Sequence, residues 1–278
     1  MAEAFPGLFY WQTGSAYCKD DAMNRRGSIE AEPRPLPGTV RFEEGDFHAL
    51  SEGLCGDPQY DDRRLVTRRK LLALGKRCVR GAAEEGLALD CRTSLHRPHA
   101  FNGNRVRRIW CYLMRPAGER KRLRSLLGPE LGRDLDAAFR NAYLCLAVEA
   151  QALEVSLRIH PEAWYDGQNL KKRIAREGPQ AWRALLNGLP GWSLVMHDWK
   201  GEWRCGQLEP ERLDEYLEAW TPGEHRLSLV QRFPAPAGAR GPALSARAPG
   251  ELVSECLRLA PAYRYAAWSR ESDFLFAD

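Results

Sequence analysis

One short stretch constrains the fold more than any other part of the chain. From Leu153 to His160, apolar and polar residues alternate strictly. Because successive side chains of a β-strand point to opposite faces of a sheet, this alternation predicts a strand with one buried face. The opposite face would carry Glu154, Ser156, Arg158 and His160. If that face lines a cleft, it provides a floor for a polar ligand.

Strand and helix patterns also alternate along the rest of the chain. Alternating or β-branched and aromatic runs predict strands at 87–91, 106–114, 192–199 and 226–233. A hairpin turning between His99 and Asn104 would join the first two of these strands. Apolar spacing predicts helices at 62–80, 120–127, 129–146, 182–189, 209–220 and 251–259. We therefore predict an α+β fold with a mixed or antiparallel sheet covered by helices.

A length of 278 residues favours one large domain with irregular additions. We predict an irregular N-terminal segment at 1–60, packed on the body through Phe5, Phe9, Tyr10 and Trp11. The α+β core domain would span 61–233. A loop rich in Pro, Ala and Gly follows at 234–250, and a C-terminal helix and tail occupy 251–278.

Neither a membrane span nor a secretory leader is visible in the sequence. No apolar run approaches the roughly 20 residues that cross a bilayer, and the N-terminus lacks a charged region followed by an apolar one. We predict a cytoplasmic protein without membrane contact. The eight cysteines form no CxxC pair, which favours buried thiols in a reducing compartment over a paired-cysteine zinc site.

Charge is distributed unevenly along the chain. Between Arg63 and Arg124, 18 basic residues face four acidic ones, so this segment carries +14 and the remainder, given a net charge of +4, carries −10. Such asymmetry predicts an anionic partner for the middle of the chain. A GC-rich genome offers a second explanation for the basic segment, because Arg outnumbers Lys and Ala, Gly and Pro are plentiful. Such a genome does not account for the acidic remainder.

Two stretches share a pattern that helps to locate a candidate face. Leu89–Arg108 and Leu153–Arg173 each contain Ser-Leu, then His and Pro, an aromatic residue, Gly, Asn and finally a basic cluster. A duplication would place the histidines of the two copies in related positions. Chance resemblance is the alternative, since a strand followed by a turn and a basic segment is common.

The candidate catalytic residues are His96, His99, His160 and Asp166. One histidine could act as general base and another as general acid, with an arginine or lysine stabilising charge on a phosphate. A divalent metal is a second option, with Glu162 and Cys91 as additional ligands. A third option places a metal-dependent nuclease site at Asp198-Trp199-Lys200, completed by Glu154 or Asp166.

The candidate substrate-binding residues cluster near the two histidine segments. We predict that Asn169 caps a helix after an Asp166-Gly167 turn, which would create an anion site at the helix start. Aromatic residues in this region could stack on unpaired bases. The predicted set is Arg97, Asn104, Arg105, Arg107, Arg108, Trp164, Asn169, Lys171 and Lys172.

These patterns favour a nucleic-acid-binding protein that uses a basic, arginine-rich face, with phosphodiester cleavage as an added nuclease activity. The face would be built from the 62–80 helix, the 96–108 loop and the 169–176 helix start. One alternative is an enzyme acting on a small phosphorylated or carboxylated substrate through the same His, Arg and Lys cluster. Another is a structural subunit that binds an acidic protein partner. Motifs for dinucleotides, P-loop nucleotides and nucleophile-elbow hydrolases are absent.

Overall fold

The computed structural model describes residues 40–196, 203–235 and 248–276. Within these ranges, seven strands form one sheet in the order β1-β2-β3-β4-β7-β5-β6, and every neighbouring pair is antiparallel. The strands are β1 Asp90–Thr93, β2 Arg108–Met114, β3 Tyr143–Glu149, β4 Ala152–Ile159, β5 Ser193–Met196, β6 Trp203–Arg204 and β7 Leu227–Pro234. The predicted α+β class and the hairpin between the first two strands are confirmed.

Helices cover one face of this sheet. α2 packs on β1 and β2 and against α7, which in turn contacts β3 and β4. The described helices are α1 Glu44–His48, α2 Asp61–Glu84, α3 Ala117–Leu131, α4 Trp164–Glu177, α5 Pro179–Asn187, α6 Pro210–Ala219, α7 Ala248–Arg258 and α8 Ala260–Ala266. No helix in the described part of the chain is long and apolar enough to cross a membrane.

Side-chain alternation divides the sheet into two chemically different faces. The helix-covered face carries the main core, which includes Leu153, Val155, Leu157 and Ile159 as predicted for β4. We call the opposite face the polar face. Its polar and aromatic members are Arg108, Trp110, Tyr112, Tyr143, Cys145, Glu149, Glu154, Ser156, Arg158, Ser193, Ser228 and Arg232.

The predicted helix over 129–146 is wrong beyond Leu131. Gly128 has non-helical backbone angles, φ 80° and ψ 173°, so α3 is kinked there, and a helical turn begins at Pro129 as predicted. That turn ends at Leu131, and residues 143–149 form β3. Six of the seven residues of β3 are buried, so both of its faces carry apolar side chains. A strand buried on both faces reads as a continuous apolar run, which periodicity cannot distinguish from a buried helix.

The predicted loop and cap around Asp166 and Asn169 are also wrong. α4 begins at Trp164, so Asp166, Gly167 and Asn169 lie inside the helix and are buried. Gly167 packs against another segment, because a Cβ added there would lie 2.8 Å from Pro222 Cβ. These residue types, usual in turns, serve tertiary contacts here. The anion site predicted at a helix start near residue 169 therefore does not form.

The two copies of the shared sequence pattern adopt different structures. In the first copy, β1 leads through a loop with a single 3-10 turn to β2, whereas in the second copy β4 leads into α4. Of the basic residues that end the two copies, Arg105 and Arg107 lie in the loop and Arg108 on β2, whereas Lys171, Lys172 and Arg173 lie on α4. The pattern does not correspond to a repeated structural unit.

The outer segments are described only in part. Phe42, Phe47 and Leu50 from the N-terminal region are buried in the main core, while Phe5, Phe9, Tyr10 and Trp11 lie outside the described residues. Most of the predicted 234–250 loop is outside them as well, and α7 begins at Ala248, three residues before the predicted helix. Of the seven described cysteines, all are free and only Cys91 is partly exposed.

Candidate functional site

The sheet separates the three candidate histidines. The loop that carries His96 and His99 leads to Arg108 at the start of β2, and Arg108 pairs with Glu149 at the end of β3. His160 follows β4 beyond the opposite end of β3, where Tyr143 pairs with Arg158. With about 3.4 Å per residue, β3 holds these ends roughly 20 Å apart. The geometry therefore does not bring His160 to His96 and His99.

Each of these histidines takes part in local structure. The His96 carbonyl accepts a hydrogen bond from Arg64 Nε at 3.0 Å, and the His96 side chain is buried. His99 and His160 each accept a backbone N–H bond at Nδ1 and thereby cap a short 3-10 turn. Among the described residues, no three His, Cys, Asp or Glu side chains come together as a metal-binding group. The metal site proposed with Glu162 and Cys91 gains no support there, and Asp198-Trp199-Lys200 lies outside the described residues.

Asp166 is a fully buried connecting residue. Its carboxylate pairs with Arg115 and accepts hydrogen bonds from the backbone N–H groups of Ala142, at 2.6 Å, and Trp268, at 2.8 Å. The end of β2, the start of β3 and the C-terminal segment are thus joined by one side chain. These contacts explain why a carboxylate is present at position 166. Because the side chain is fully buried, it has no access to a substrate.

The predicted binding residues on α4 hold other parts of the chain. Asn169 accepts a hydrogen bond from the Phe274 N–H at 2.8 Å, Lys172 donates to the Leu275 carbonyl at 2.9 Å, and Lys171 donates to the Trp220 carbonyl at 3.2 Å. Trp164 packs at the edge of a small core near the C-terminal segment. α4 follows β4 and so lies at the other end of the sheet from the 96–108 loop.

The 96–108 loop presents its cations to solvent, but most of them are paired. Arg105 and Arg107 both bind Glu52, at 2.6 and 2.9 Å, and both are about half exposed. Arg97 lies 3.9 Å from Asp61. Asn104 is exposed and adopts a left-handed conformation at φ 56°. Of the predicted loop residues, Arg108 alone belongs to the polar face.

Much of the charge asymmetry is used inside the fold. Lys70 is buried against Asp46 at 2.7 Å, and Arg120 is buried between Asp90 and Asp136. Asp46 and Asp136 come from outside the basic segment. The excess of arginine between residues 63 and 124 is therefore partly balanced by the acidic residues of the remainder. Sequence charge overstates the basic character of the surface.

The polar face contains a buried ionic network centred on Glu154. Arg158 donates to its Oε1 at 2.6 Å, Arg108 pairs with the same oxygen, and Arg232 donates to Oε2 at 3.3 Å. Ser156 donates to Oε1 at 2.9 Å. Burial by itself would raise the pKa of Glu154, but Arg158 and Arg108 outweigh it and lower the pKa to about 2. Glu154 is thus ionised at neutral pH.

Aromatic side chains continue the polar face on β2 and β3. The Arg108 guanidinium stacks over the Trp110 ring at 3.6 Å, and Trp110 stacks on Tyr112 with ring centroids 5.7 Å apart. Both rings are partly exposed. We call Arg108, Trp110 and Tyr112 the stacking platform. Burial raises the pKa of the neighbouring Tyr143 and Cys145 to about 12, so neither adds charge at neutral pH.

Strand register connects the stacking platform with an open pocket. One row across the sheet runs from Trp110 through Ala147 and Glu154 to Arg232, because these residues are successive Cα partners. The pocket has a volume of about 420 Å³ and lies where β4, β7 and β5 meet. It is lined by Glu154, Arg158, Gly191, Ser193, Val195, Arg226, Ser228, Val230, Gln231 and Arg232.

Sequence reasoning identified part of this site. The predicted polar floor of β4 supplies Glu154 and Arg158 to the pocket and Ser156 to the ionic network. It missed Ser193, Arg226, Ser228 and Arg232. Alternation along β7 could have placed Ser228 and Arg232 on one face, but nothing in the sequence shows that β7 pairs with β4. No protein-family model matches the chain, and no curated protein matches it in sequence.

Proposed function

We propose that this protein binds single-stranded nucleic acid along the polar face. The stacking platform and the arginine-lined pocket lie on one surface of one sheet, and this observation carries the proposal. Unpaired bases would stack on the platform while phosphates bind the arginines. The earlier expectation of a basic face is thereby moved from the 96–108 loop to the sheet, with Arg108 shared by both.

Stacking is the first part of this proposal. Antiparallel sheets bind single strands by stacking bases on exposed aromatic rings or on arginine guanidinium planes. Tyr112 is partly exposed, and the Arg108 guanidinium already lies flat on Trp110. A base can extend this stack without any sequence-specific hydrogen bond. The platform therefore favours unpaired bases over a duplex, whose bases are enclosed.

Charge is the second part. The polar face carries the arginines Arg108, Arg158 and Arg232, with Arg226 at the pocket, against the carboxylates Glu149 and Glu154. The positive excess suits a phosphate backbone, and buried ion pairs with Glu154 hold the guanidinium groups of Arg108 and Arg158 in place. Cleavage needs two groups that exchange protons near one phosphate. Because the candidate histidines lie at opposite ends of the sheet, we propose binding without cleavage.

Binding of labelled single-stranded RNA, single-stranded DNA and duplex DNA to the purified protein tests this function. We expect Tyr112→Leu to weaken single-strand binding by about 1–3 kcal/mol, the contribution of one stacked base. Tyr60→Leu is the matched control, because Tyr60 precedes α2 and lies away from the polar face. Circular dichroism would check that both variants fold.

Substitutions in the 96–108 loop test whether the strand binds to that loop or to the polar face. If the polar face binds the strand, a double Arg105→Ala, Arg107→Ala variant keeps most of the affinity. If that variant loses binding while Tyr112→Leu does not, the strand lies on the loop and the proposal is wrong. Binding of small phosphorylated compounds without binding of any strand would favour the small-substrate alternative.

A further inference from the structure

The described cysteines differ in how far a reagent can reach them. Of the seven, six are buried and only Cys91 is partly exposed. Cys91 lies on β1, a strand of four residues at one edge of the sheet. Reactive thiols occupy partly exposed positions, whereas buried thiols are inert. Cys91 is therefore the described cysteine that is open to chemical modification.

The thiol of Cys91 contacts a second thiol. In the register of β1 and β2, Cys91 is opposite Leu113 and is a diagonal neighbour of Cys111, and all three side chains lie on the helix-covered face. The two sulfurs converge on Gly75 of α2, because a Cβ added there would overlap Cys111 Sγ and lie 3.7 Å from Cys91 Sγ. The two thiols are in hydrogen-bond contact. Cys111 itself is fully buried.

The surroundings give the two thiols different chemistry. The hydrogen bond from Cys111 lowers the pKa of the Cys91 thiol, and the positive charge of Lys76 acts in the same direction. Partial burial and the charge of Asp90 oppose this shift without reversing it. The same contact, together with burial, raises the pKa of Cys111 well above its usual range. Cys91 is therefore the better nucleophile, and Cys111 remains a protonated thiol beside it.

We propose that Cys91 and Cys111 form a redox-active pair that a hydroperoxide oxidises to an intramolecular disulfide. This modification site goes beyond the proposed function and does not depend on it. The observation that carries it is the contact between one accessible and one buried thiol on adjacent strands.

The oxidation proceeds in two steps. The Cys91 sulfur attacks the terminal oxygen of the hydroperoxide, the O–O bond breaks, and water or an alcohol leaves with the thiol proton, so that Cys91 becomes a sulfenic acid. The Cys111 sulfur then attacks the Cys91 sulfur, the S–O bond breaks, and water leaves with the second thiol proton. Two thiols are thereby oxidised to one disulfide, and the hydroperoxide is reduced.

The position of β1 allows the bond to form. The sulfurs must approach from contact to about 2.05 Å, the length of a disulfide bond. β1 can make this movement, because it is short and is hydrogen-bonded to one neighbouring strand in the sheet. The disulfide would join the two strands of the hairpin and enclose the 96–108 loop between its two cysteines.

A second cysteine pair provides a matched control. Cys78 of α2 and Cys256 of α7 are also in hydrogen-bond contact, but both are fully buried. If contact between thiols were sufficient, this pair would be oxidised as readily as the first. If access through the edge strand decides the reaction, the buried pair stays reduced.

Hydrogen peroxide treatment of the full-length chain tests this inference. The protein carries Cys18→Ser, because Cys18 lies outside the described residues. After oxidation, the remaining thiols are alkylated in denaturant, and peptides are mapped by mass spectrometry without reduction. We expect a peptide linked through Cys91 and Cys111 that dithiothreitol separates. It should form at least about tenfold faster than any product of Cys78 or Cys256, because buried thiols react only when the core opens locally.

Variants assign the two roles. Cys111→Ser should stop the reaction at the sulfenic acid of Cys91, which dimedone traps, and Cys111→Ala should do the same if the serine variant does not fold. Cys91→Ser should give neither the sulfenic acid at this position nor the disulfide. Cys256→Ser removes one thiol of the buried pair and should leave the Cys91–Cys111 disulfide unchanged. Circular dichroism would check that each variant folds.

Three results would overturn the proposal. The first is the absence of a Cys91–Cys111 disulfide after oxidation. The second is equally fast oxidation of Cys78 and Cys256, because opening of the core would then control the reaction. The third is a disulfide between the Cys91 residues of two molecules, which would exclude Cys111 as the partner. None of these results depends on nucleic-acid binding, so this inference and the proposed function can fail separately.

Discussion

Asp166 connects three segments of the chain through a single buried side chain. It pairs with Arg115 and accepts hydrogen bonds from the N–H groups of Ala142 and Trp268. In the sequence, the same residue is a reasonable general acid or base, because its chemistry is visible there and its burial is not. Any catalytic role for it would compete with this structural one.

The role of Asp166 in stability can be measured directly. We expect Asp166→Asn to reduce the free energy of unfolding by about 3–5 kcal/mol, because it leaves the Arg115 guanidinium buried without its counter-charge. Urea unfolding would measure the change. Glu162→Gln is the matched control: Glu162 pairs with Arg140 at 2.8 Å but is partly exposed, so its loss should cost less than about 1 kcal/mol. Equal effects of the two variants would contradict the prediction.

Glu154 makes stability depend on pH. Its pKa of about 2 in the folded protein is below the ordinary value of 4.5, so its ionised form stabilises the fold above pH 4.5. That stabilisation, on the order of 3 kcal/mol, is lost as the pH falls from 4.5 towards 2. We expect Glu154→Gln to lose less stability than the wild type between pH 5 and 3 in urea unfolding. The exposed Glu130→Gln should behave like the wild type, and parallel curves for all three proteins would count against this role.

At the scale of elements, the sequence predicted the secondary structure correctly where the two faces of an element differ in polarity. β4 alternates because one face packs on helices and the other carries the ionic network. β3 is apolar on both faces and was predicted as a helix. α4 was predicted to begin five residues late, because its buried Asp, Gly and Asn residues resemble a turn. In both cases, the residue types suit tertiary contacts, so the local composition did not indicate the secondary structure that forms.

The packing of α2 on the sheet depends on Gly75. A Cβ at this position would overlap Cys111 Sγ on β2 and contact Cys91 Cβ at 3.5 Å. We expect Gly75→Ala to destabilise the protein by about 1–3 kcal/mol through overpacking. Gly118→Ala in α3 is the same substitution with no atom within 4 Å, and it should stabilise by up to about 1 kcal/mol. Thermal unfolding would measure both, and a stabilising Gly75→Ala would show that α2 can move away from the sheet.

For the whole molecule, ion pairing decides how much of the charge asymmetry reaches a ligand. Acidic residues from outside the basic segment, among them Asp46, Glu52 and Asp136, bind its arginines and lysines. The polar face keeps a smaller positive excess, and buried ion pairs hold two of its arginines, Arg108 and Arg158, in place. Affinity for an anionic strand should therefore come from a few well-placed arginines rather than from a broad basic surface.

The salt dependence of binding distinguishes these two cases. If about three phosphates contact the polar face, the logarithm of the binding constant should fall with the logarithm of salt concentration with a slope of about −2 for a single strand. A broad basic surface contacting 6–10 phosphates would give a slope of about −4 to −7. Fluorescence anisotropy titrations between about 50 and 200 mM salt would separate the two slopes. A slope in the steeper range would contradict the assignment to the polar face.

By itself, the sequence determined the fold class, most strands and helices, and the polar side of β4, because amphipathic periodicity is a local property. It also placed Glu154, Ser156 and Arg158 on a surface suited to a polar ligand. The tertiary structure alone decided that β4 lies between β3 and β7, which brings Trp110 and Arg232 into one row. It also separated His160 from His96 and His99. Strand order and ion pairing depend on contacts between residues distant in the chain, and no local pattern records them.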